Sequence, residues 1–143
     1  MKVKSLRSLS KKLWKVFSLF IRLRDSDEHG TARCISCGKF MSWGTYDAGH
    51  YFPKTGENYN LIFDERNVNA QCVKCNHYMH GNIHGYAEGI VKKLGQNILE
   101  ELRFKKSSKF QSKWMSFEYE EQIKHYKAEN KESAKKKMFE VKT

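Results

Sequence analysis

Two Cys-x-x-Cys pairs, Cys34/Cys37 and Cys72/Cys75, constrain this chain more than any other feature in it. Thirty-four residues separate them. Four thiolates so paired can hold one tetrahedral zinc in a closed site with no position open to water. Closing that site folds residues 38–71 back on themselves, so the insert becomes a subdomain tied at both ends. The same four residues could instead form two disulfides or hold an iron–sulfur cluster. The start of the chain is basic, and Lys and Arg interrupt its apolar residues, unlike a secretory leader; that context favours metal over disulfides. In Cys34-Ile35-Ser36-Cys37-Gly38 the glycine lets the backbone turn under the metal so that amides reach the sulfurs. Two such knuckles favour zinc over iron–sulfur. The zinc is expected to be structural and to do no chemistry.

The insert matters because the rest of the chain can build only a modest core. Of 143 residues, 39% are hydrophobic and 30% charged. That balance fits one domain with terminal extensions, and a small core of this kind gains from a metal staple. No run of about 18 apolar residues occurs, which argues against a membrane span. The net charge of +11 is unevenly spread. Residues 1–24 carry eight Lys/Arg and no acid; residues 25–102 are net −3; residues 103–143 are net +6. Basic arms of this kind contact phosphates without reading sequence, and such binding weakens steeply with salt. The candidate DNA contacts are Lys4, Arg7, Lys11, Lys12 and Lys15 in the first arm and Lys105, Lys106, Lys109 and Lys113 in the last, with Lys54 and Lys74 between. Lysine-rich helices that serve only solubility are the alternative.

Residues 5–24 read as an amphipathic helix, with Leu6, Leu9, Leu13, Val16, Phe20 and Leu23 at three- and four-residue steps and Trp14, Phe17 and Ile21 widening the stripe. Packing against the core is the preferred reading of its aromatics, rather than base stacking. Phe40–Trp43 and Tyr46–Phe52 read as two short strands with Gly44-Thr45 near the turn, and Pro53 ends the second. A polar loop and the apolar run Leu61–Phe63 lead to Asn67. The second knuckle is expected to open a helix near Asn76. Tyr86, Ile90 and Leu94 suggest a helix stopped by Gly95, and Ile98, Leu99 and Leu102 another. From Lys109 onward the pattern is helical but weakly apolar, with Phe110, Trp114, Phe117 and Ile123. The end of the chain, through Lys135-Lys136-Lys137, is expected to fray or lie along DNA. The expected organisation is an N-terminal basic helix over 1–30, a zinc-stapled core over 31–102 and a basic helical extension over 103–143.

Inside the insert, His50, Asn67 and Asn76 follow in order, with eight residues between the two asparagines. That order and spacing are similar to the site of the ββα-metal (HNH) nucleases. There a strand-end His takes a proton from water, an Asn fixes the loop, and a divalent ion beside the following helix stabilises the phosphorane and the leaving oxygen. By this likeness His50 is the base, Asn67 the loop-fixing residue and Asn76 a ligand. His80, four residues on, would share Asn76's helix face and the Mg²⁺ or Mn²⁺. Position 49, where such sites often carry an acid or His directly before the base, holds Gly49. Asp47 points to the same side of a strand and is the candidate third ligand, with His50 itself as another. Each residue also has an ordinary role open to it: His50 as strand surface or core, Asn67 in a turn, Asn76 as a helix cap, and His77, His80 and His84 as exposed polar groups.

A wider set of motifs resembles one family. Phe20-Ile21-Arg22-Leu23-Arg24-Asp25, the first knuckle, Ala48-Gly49-His50-Tyr51, Asn67-Val68-Asn69-Ala70-Gln71-Cys72, Cys75-Asn76 and Gly81-Asn82 together resemble the phage NinG (Rap) recombination proteins, from about residue 5 to 102. The Cys-x-x-Cys-Asn ending is also similar to phage endonuclease VII. The resemblance implies an α+β fold, a zinc-stapled ββα-metal (HNH-like) nuclease core with flanking basic helices. It implies a structure-selective DNA endonuclease that hydrolyses phosphodiesters in branched recombination intermediates, such as Holliday junctions and D-loops. The implied partners are branched DNA, a second copy of the chain and phage recombination proteins, with no membrane; the implied location is the cytoplasm of the bacterial host. Symmetric cutting of two strands calls for a dimer, with the apolar N-terminal helix as candidate interface. The competing expectations are a non-catalytic zinc-dependent DNA-binding protein of recombination or regulation, and a module that recruits other proteins through its basic helices.

Overall fold

The computed structural model describes residues 3–108 and 113–143; Lys109 and Phe110 of the readings above lie outside them. The chain runs α1 (Leu6–Asp25), β1 (Ala32–Arg33), β2 (Phe40–Met41), β3 (Tyr46–His50), a 3₁₀ segment (Gly56–Leu61), β4 (Val68–Cys72), a π-turn (Lys74–Tyr78), α2 (Ile83–Leu94), α3 (Ile98–Lys106) and α4 (Ser116–Lys135). It is a mixed α+β fold with two small antiparallel sheets.

The first helix forms where the apolar stripe predicts it. Ser5 caps it by accepting the Ser8 amide at 3.1 Å, which satisfies one orphan donor of the first turn. Leu9, Leu13, Phe17 and Ile21, each four residues apart, are buried. Burying each such side chain is worth about 1.5–3 kcal/mol. The stripe packs against Ala48 and Val68 of the β3–β4 sheet and against Tyr119, Ile123 and Tyr126 of α4. The face considered as a dimer interface is therefore covered within the same chain.

The α4 helix runs parallel to α1. Asn130 Nδ2 donates to the Val16 carbonyl at 2.9 Å. Beyond the end of α4, Lys137 Nζ donates to the carbonyls of Leu23, Ser26 and Asp27 at 3.1, 2.8 and 3.0 Å. A cation there answers the orphan carbonyls and the negative end of the α1 dipole. The Met138 amide then donates to the Glu28 carbonyl at 2.8 Å, and Phe139 lies 5.1 Å from Trp43. Residues 136–139 are thus docked on the rest of the molecule. The expectation of a frayed or DNA-bound tail fails there, because the Lys137 ammonium finds three carbonyl acceptors.

Strand pairing also departs from the sequence reading. Phe40–Met41 pairs with Ala32–Arg33, closing a hairpin over the first knuckle. Tyr46–His50 pairs instead with Val68–Cys72, in the register Tyr46↔Cys72 through His50↔Val68. The knuckle turn decides this: the Cys34 amide bonds the Lys39 carbonyl at 2.9 Å and the Gly38 amide bonds the Cys34 carbonyl at 2.8 Å. Those bonds commit β2 to β1 and leave β3 free for β4.

The expected helix start at Asn76 is replaced by the π-turn. His80, Gly81 and Asn82 then take φ of 49°, 91° and 39°, and Asn82 caps α2 by accepting the Gly85 amide at 3.4 Å. Asn76 and His80 therefore do not share a helix face. α2 crosses the first knuckle closely. A Cβ on Gly85 or Gly89 would collide with the Ser36 or Ile35 carbonyl, so this helix can lie there only where those side chains are missing.

A buried carboxylate ties the loop before β4 to α3. Asp64 accepts from Arg66 Nε and Nη2 at 3.1 and 3.0 Å, from the Arg66 amide at 2.9 Å and from Lys105 Nζ at 2.7 Å. Burial opposes its ionisation, but the hydrogen bonds from Arg66 and Lys105 outweigh burial and hold its pKa down at about 2. A carboxyl with a depressed folded-state pKa stabilises the fold above its unfolded pKa and loses that contribution as pH falls through the folded value. The melting temperature should therefore drop between about pH 4 and pH 2, with about 2 kcal/mol at stake by linkage. In Asp64→Asn the drop over that window should shrink; an unchanged acid profile in thermal melts would remove Asp64 from the account.

Candidate metal cluster and catalytic cleft

The four cysteines meet. The Sγ atoms of Cys34, Cys37, Cys72 and Cys75 all lie within 4.8 Å of one another. Cys37 and Cys72 are 3.9 Å apart, close to the roughly 3.8 Å that tetrahedral Zn–S bonds of about 2.3 Å impose. The Cys72 amide donates to Cys34 Sγ at 3.3 Å, the Cys75 amide to Cys72 Sγ at 3.4 Å, and Asn82 Nδ2 to Cys75 Sγ at 3.4 Å. Such donors surround sulfur that carries negative charge. Burial and the neighbouring thiols push the Cys75 thiol up to about 12. A dication removes that opposition, and one ion can serve both knuckles.

Sixteen residues line a second feature, a cleft of about 670 Å³ between α1, β3 and the π-turn. His50, Asp47, Gly49, Asn76, His80 and Lys54 are among them. His50 stands at the end of β3, with its ring stacked on Trp14 at 5.0 Å. Its Nε2 is 2.9 Å from the Ile62 carbonyl. A carbonyl only accepts, so this bond requires the proton on Nε2 and leaves the Nδ1 lone pair free. Burial pulls the His50 pKa below the usual imidazole value, and nearby Lys54 adds to the effect. The ring is thereby kept neutral at pH 7.

Asn67 is fully buried and braces the chain on both sides of the loop. Its Oδ1 accepts the Phe52 amide at 2.8 Å, and its Nδ2 donates to the carbonyls of Phe52 and Leu61 at 3.1 and 3.0 Å. Those bonds fix the strand end that carries His50 and the segment that supplies Ile62.

Asp47 lies across the cleft. Its Oδ2 accepts from Asn76 Nδ2 at 3.0 Å and sits 3.1 Å from His77 Nε2. His77 is a participant that spacing alone does not mark; its proximity depends on the π-turn. His80 lines the same cleft, so the cleft gathers Asp47, Asn76, His77 and His80 although no helix face does. A Cβ at Gly49 would overlap Gln71 Oε1, so a larger residue here would force the Gln71 side chain to move. Gln71 is itself buried, with Nε2 donating to Gly81 O at 2.6 Å and Ser36 Oγ at 2.9 Å while Oε1 has no partner. Within the cleft, Asp47 offers a carboxylate and Asn76 an amide oxygen, ligand types that hard divalent ions take.

The candidate DNA contacts spread more widely. Lys4, Arg7, Lys11, Lys12, Lys15, Lys54, Lys74 and Lys113 are exposed. Lys54 Nζ stands 4.5 Å above the Trp14 ring and Lys106 Nζ 5.1 Å from the Phe52 ring, while Lys105 is held by Asp64.

Fold and cluster together define a small α+β protein stapled by four cysteines. The family model described as "Bacteriophage Lambda NinG protein" matches residues 1–137, and the chain belongs to the NinG family. It is 39% identical over 92 residues to a protein ninG of Escherichia phage 933W, covering 64% of this chain and 43% of that protein. It is 32% identical over 131 residues to protein ninG of Escherichia phage lambda, covering 87% of this chain and 60% of that one. Protein ninG of Salmonella phage P22 is 38% identical over 92 residues, 64% of this chain and 42% of its own. The chain thus spans roughly half the length of these relatives. No solved structure matches it. Among the described residues, no helix is long and apolar enough to cross a membrane.

Proposed function

We propose that this chain is a zinc-stapled, divalent-metal-dependent endonuclease of the ββα-metal type, acting on branched DNA of phage recombination such as four-way junctions and D-loops. One observation carries the reading: His50 is pinned through Nε2 to Ile62, with Asn67 bracing both flanks, inside the cleft that holds Asp47 and Asn76. His50 Nδ1 takes the proton of the attacking water. Asp47 and Asn76 hold the ion, Mg²⁺ or Mn²⁺, with His77 and His80 beside them. When bound, that ion neutralises charge on the phosphorane and the departing oxygen. Asn67 keeps the imidazole at the strand end. The β3–β4 hairpin, π-turn and α2 supply the ββα frame, and the cysteine cluster fixes its two ends.

Exposed lysines on both arms suit recognition by backbone shape and charge. Two symmetric cuts call for two copies of the chain; with the α1 stripe covered, that contact falls elsewhere. The cluster and lysines alone would equally serve a non-catalytic zinc-dependent DNA binder, and one assay separates the two. Zinc-loaded protein should cut four-way junctions, and linear duplex far less, once Mg²⁺ or Mn²⁺ is added. Salt-sensitive junction binding with every strand left intact in both ions would establish the binder instead.

A further inference from the structure

We infer that Arg22 is the phosphodiester-gripping residue of the cleft, an assignment that rests on the nuclease reading above. Trp14, Ser18 and Arg22 lie four residues apart on α1 and form one wall of the cleft that holds His50, Asp47 and Asn76. The guanidinium of Arg22 is held from behind. Its Nε donates to the Ser18 carbonyl at 3.2 Å, and its Cζ stands 5.6 Å from the Trp43 ring centroid. Neither contact uses the two terminal amino groups, and neither of these has a hydrogen-bond partner among the described residues.

Two other arginines, by contrast, are engaged by carboxylates. Arg24, two residues on, is consumed: it grips Asp25 at 2.8 and 3.0 Å and also reaches the carbonyls of Glu65 and Val68 and Asn69 Oδ1. Arg66 is paired with Asp64 and Glu101. Among the described residues Arg22 has no carboxylate within ion-pair distance, although Asp47 is close enough to act on it electrostatically. Burial lowers its pKa, the mark of a charge partly stripped of water. A half-buried guanidinium without an anion is unfavourable unless a ligand supplies one. Its planar fork matches two oxygens of a phosphodiester, a geometry that an ammonium cannot reproduce. Lys54, across the cleft above Trp14, adds a second positive charge but no fork. A DNA strand entering the cleft would place its phosphate between Arg22 and the Asp47–Asn76 pair, within reach of the water that His50 serves.

The test uses the full zinc-loaded chain and a four-way junction, with binding read in Ca²⁺ and cutting in Mg²⁺ or Mn²⁺. Arg22→Gln should cut about 10²–10³-fold more slowly, as when one transition-state donor is removed. Its junction affinity should fall less than tenfold, and the slope of log affinity against log salt should flatten by about one. Arg22→Lys should restore the slope but stay about tenfold slow, because the charge returns without the fork. Wild-type cutting rate and salt slope in a folded Arg22→Gln protein would overturn the inference while leaving the nuclease reading standing. Should Arg22→Gln melt early, Arg22→Lys decides: a wild-type rate overturns the fork. If the wild type binds junctions but never cuts them, the nuclease reading falls, and the salt slope still judges Arg22, an unchanged slope overturning it.

Discussion

Replacing His50 with alanine should slow junction cleavage about 10²–10⁴-fold, the range that general-base removal usually costs. The effect should be confined to chemistry. His50 lies outside the cysteine cluster, and the loop keeps the Asn67 bonds to Phe52 and Leu61 when alanine removes the imidazole bond to Ile62. Zinc content and junction affinity in Ca²⁺ should therefore stay near wild type. The ring leaves a gap against Trp14, where it had stacked at 5.0 Å, and free imidazole should partly restore cutting through that gap. Single-turnover cleavage read beside a binding isotherm distinguishes the cases. An alanine variant that cuts as fast as the wild type would mean that the base is another group of the cleft, with His77 the next to replace.

Cys72→Ser should have the largest effect on folding. Cys72 sits at the meeting point of β4 and the cluster: it pairs with Tyr46, its amide bonds Cys34 Sγ, and its sulfur accepts the Cys75 amide. Structural zinc contributes about 10–16 kcal/mol in small zinc domains, and that binding energy is folding energy. Domains of this size have only about 5–15 kcal/mol of stability in total. The variant should bind no zinc and show no cooperative melt, and a strong chelator should do the same to the wild type. Elemental analysis and calorimetry check both. A serine variant that keeps one zinc and its melting point would place the staple elsewhere.

The parts of this molecule that were legible in the sequence are those where chemistry fixes spacing. The two knuckles converge on one cluster because thiolate pairs two residues apart have few other uses. The α1 stripe shows because aliphatic side chains recur at helical steps. The β4 strand was hidden for the opposite reason. All five of its residues are buried, yet Asn69 and Gln71 are polar and find partners inside, so neither alternation nor apolar density marks it. Without β4 in view, Phe40–Met41 looked like the natural partner of Tyr46–His50. The π-turn was equally opaque, since nothing in Asn76-His77-Tyr78-Met79-His80 opposes a helix. Gly81-Asn82 was the available signal: a glycine followed by a capping asparagine places the start at Ile83. In α4 the buried positions Tyr119, Ile123, Tyr126 and Asn130 are spaced as one face, but two tyrosines and an asparagine read as weakly apolar. Arg22 was visible only as one cation among many, because its freedom from carboxylates is a fact of three-dimensional placement.

The parallel seating of α4 on α1 has a consequence for how the molecule is made. Helix α1 is synthesised well before α4, so its oily side stays unsheltered until α4 has followed it. Contacts between such distant stretches close late and slowly. A nascent copy that stalls before Tyr119 would carry an uncovered Leu9–Ile21 stripe, the feature by which a holdase would recognise it.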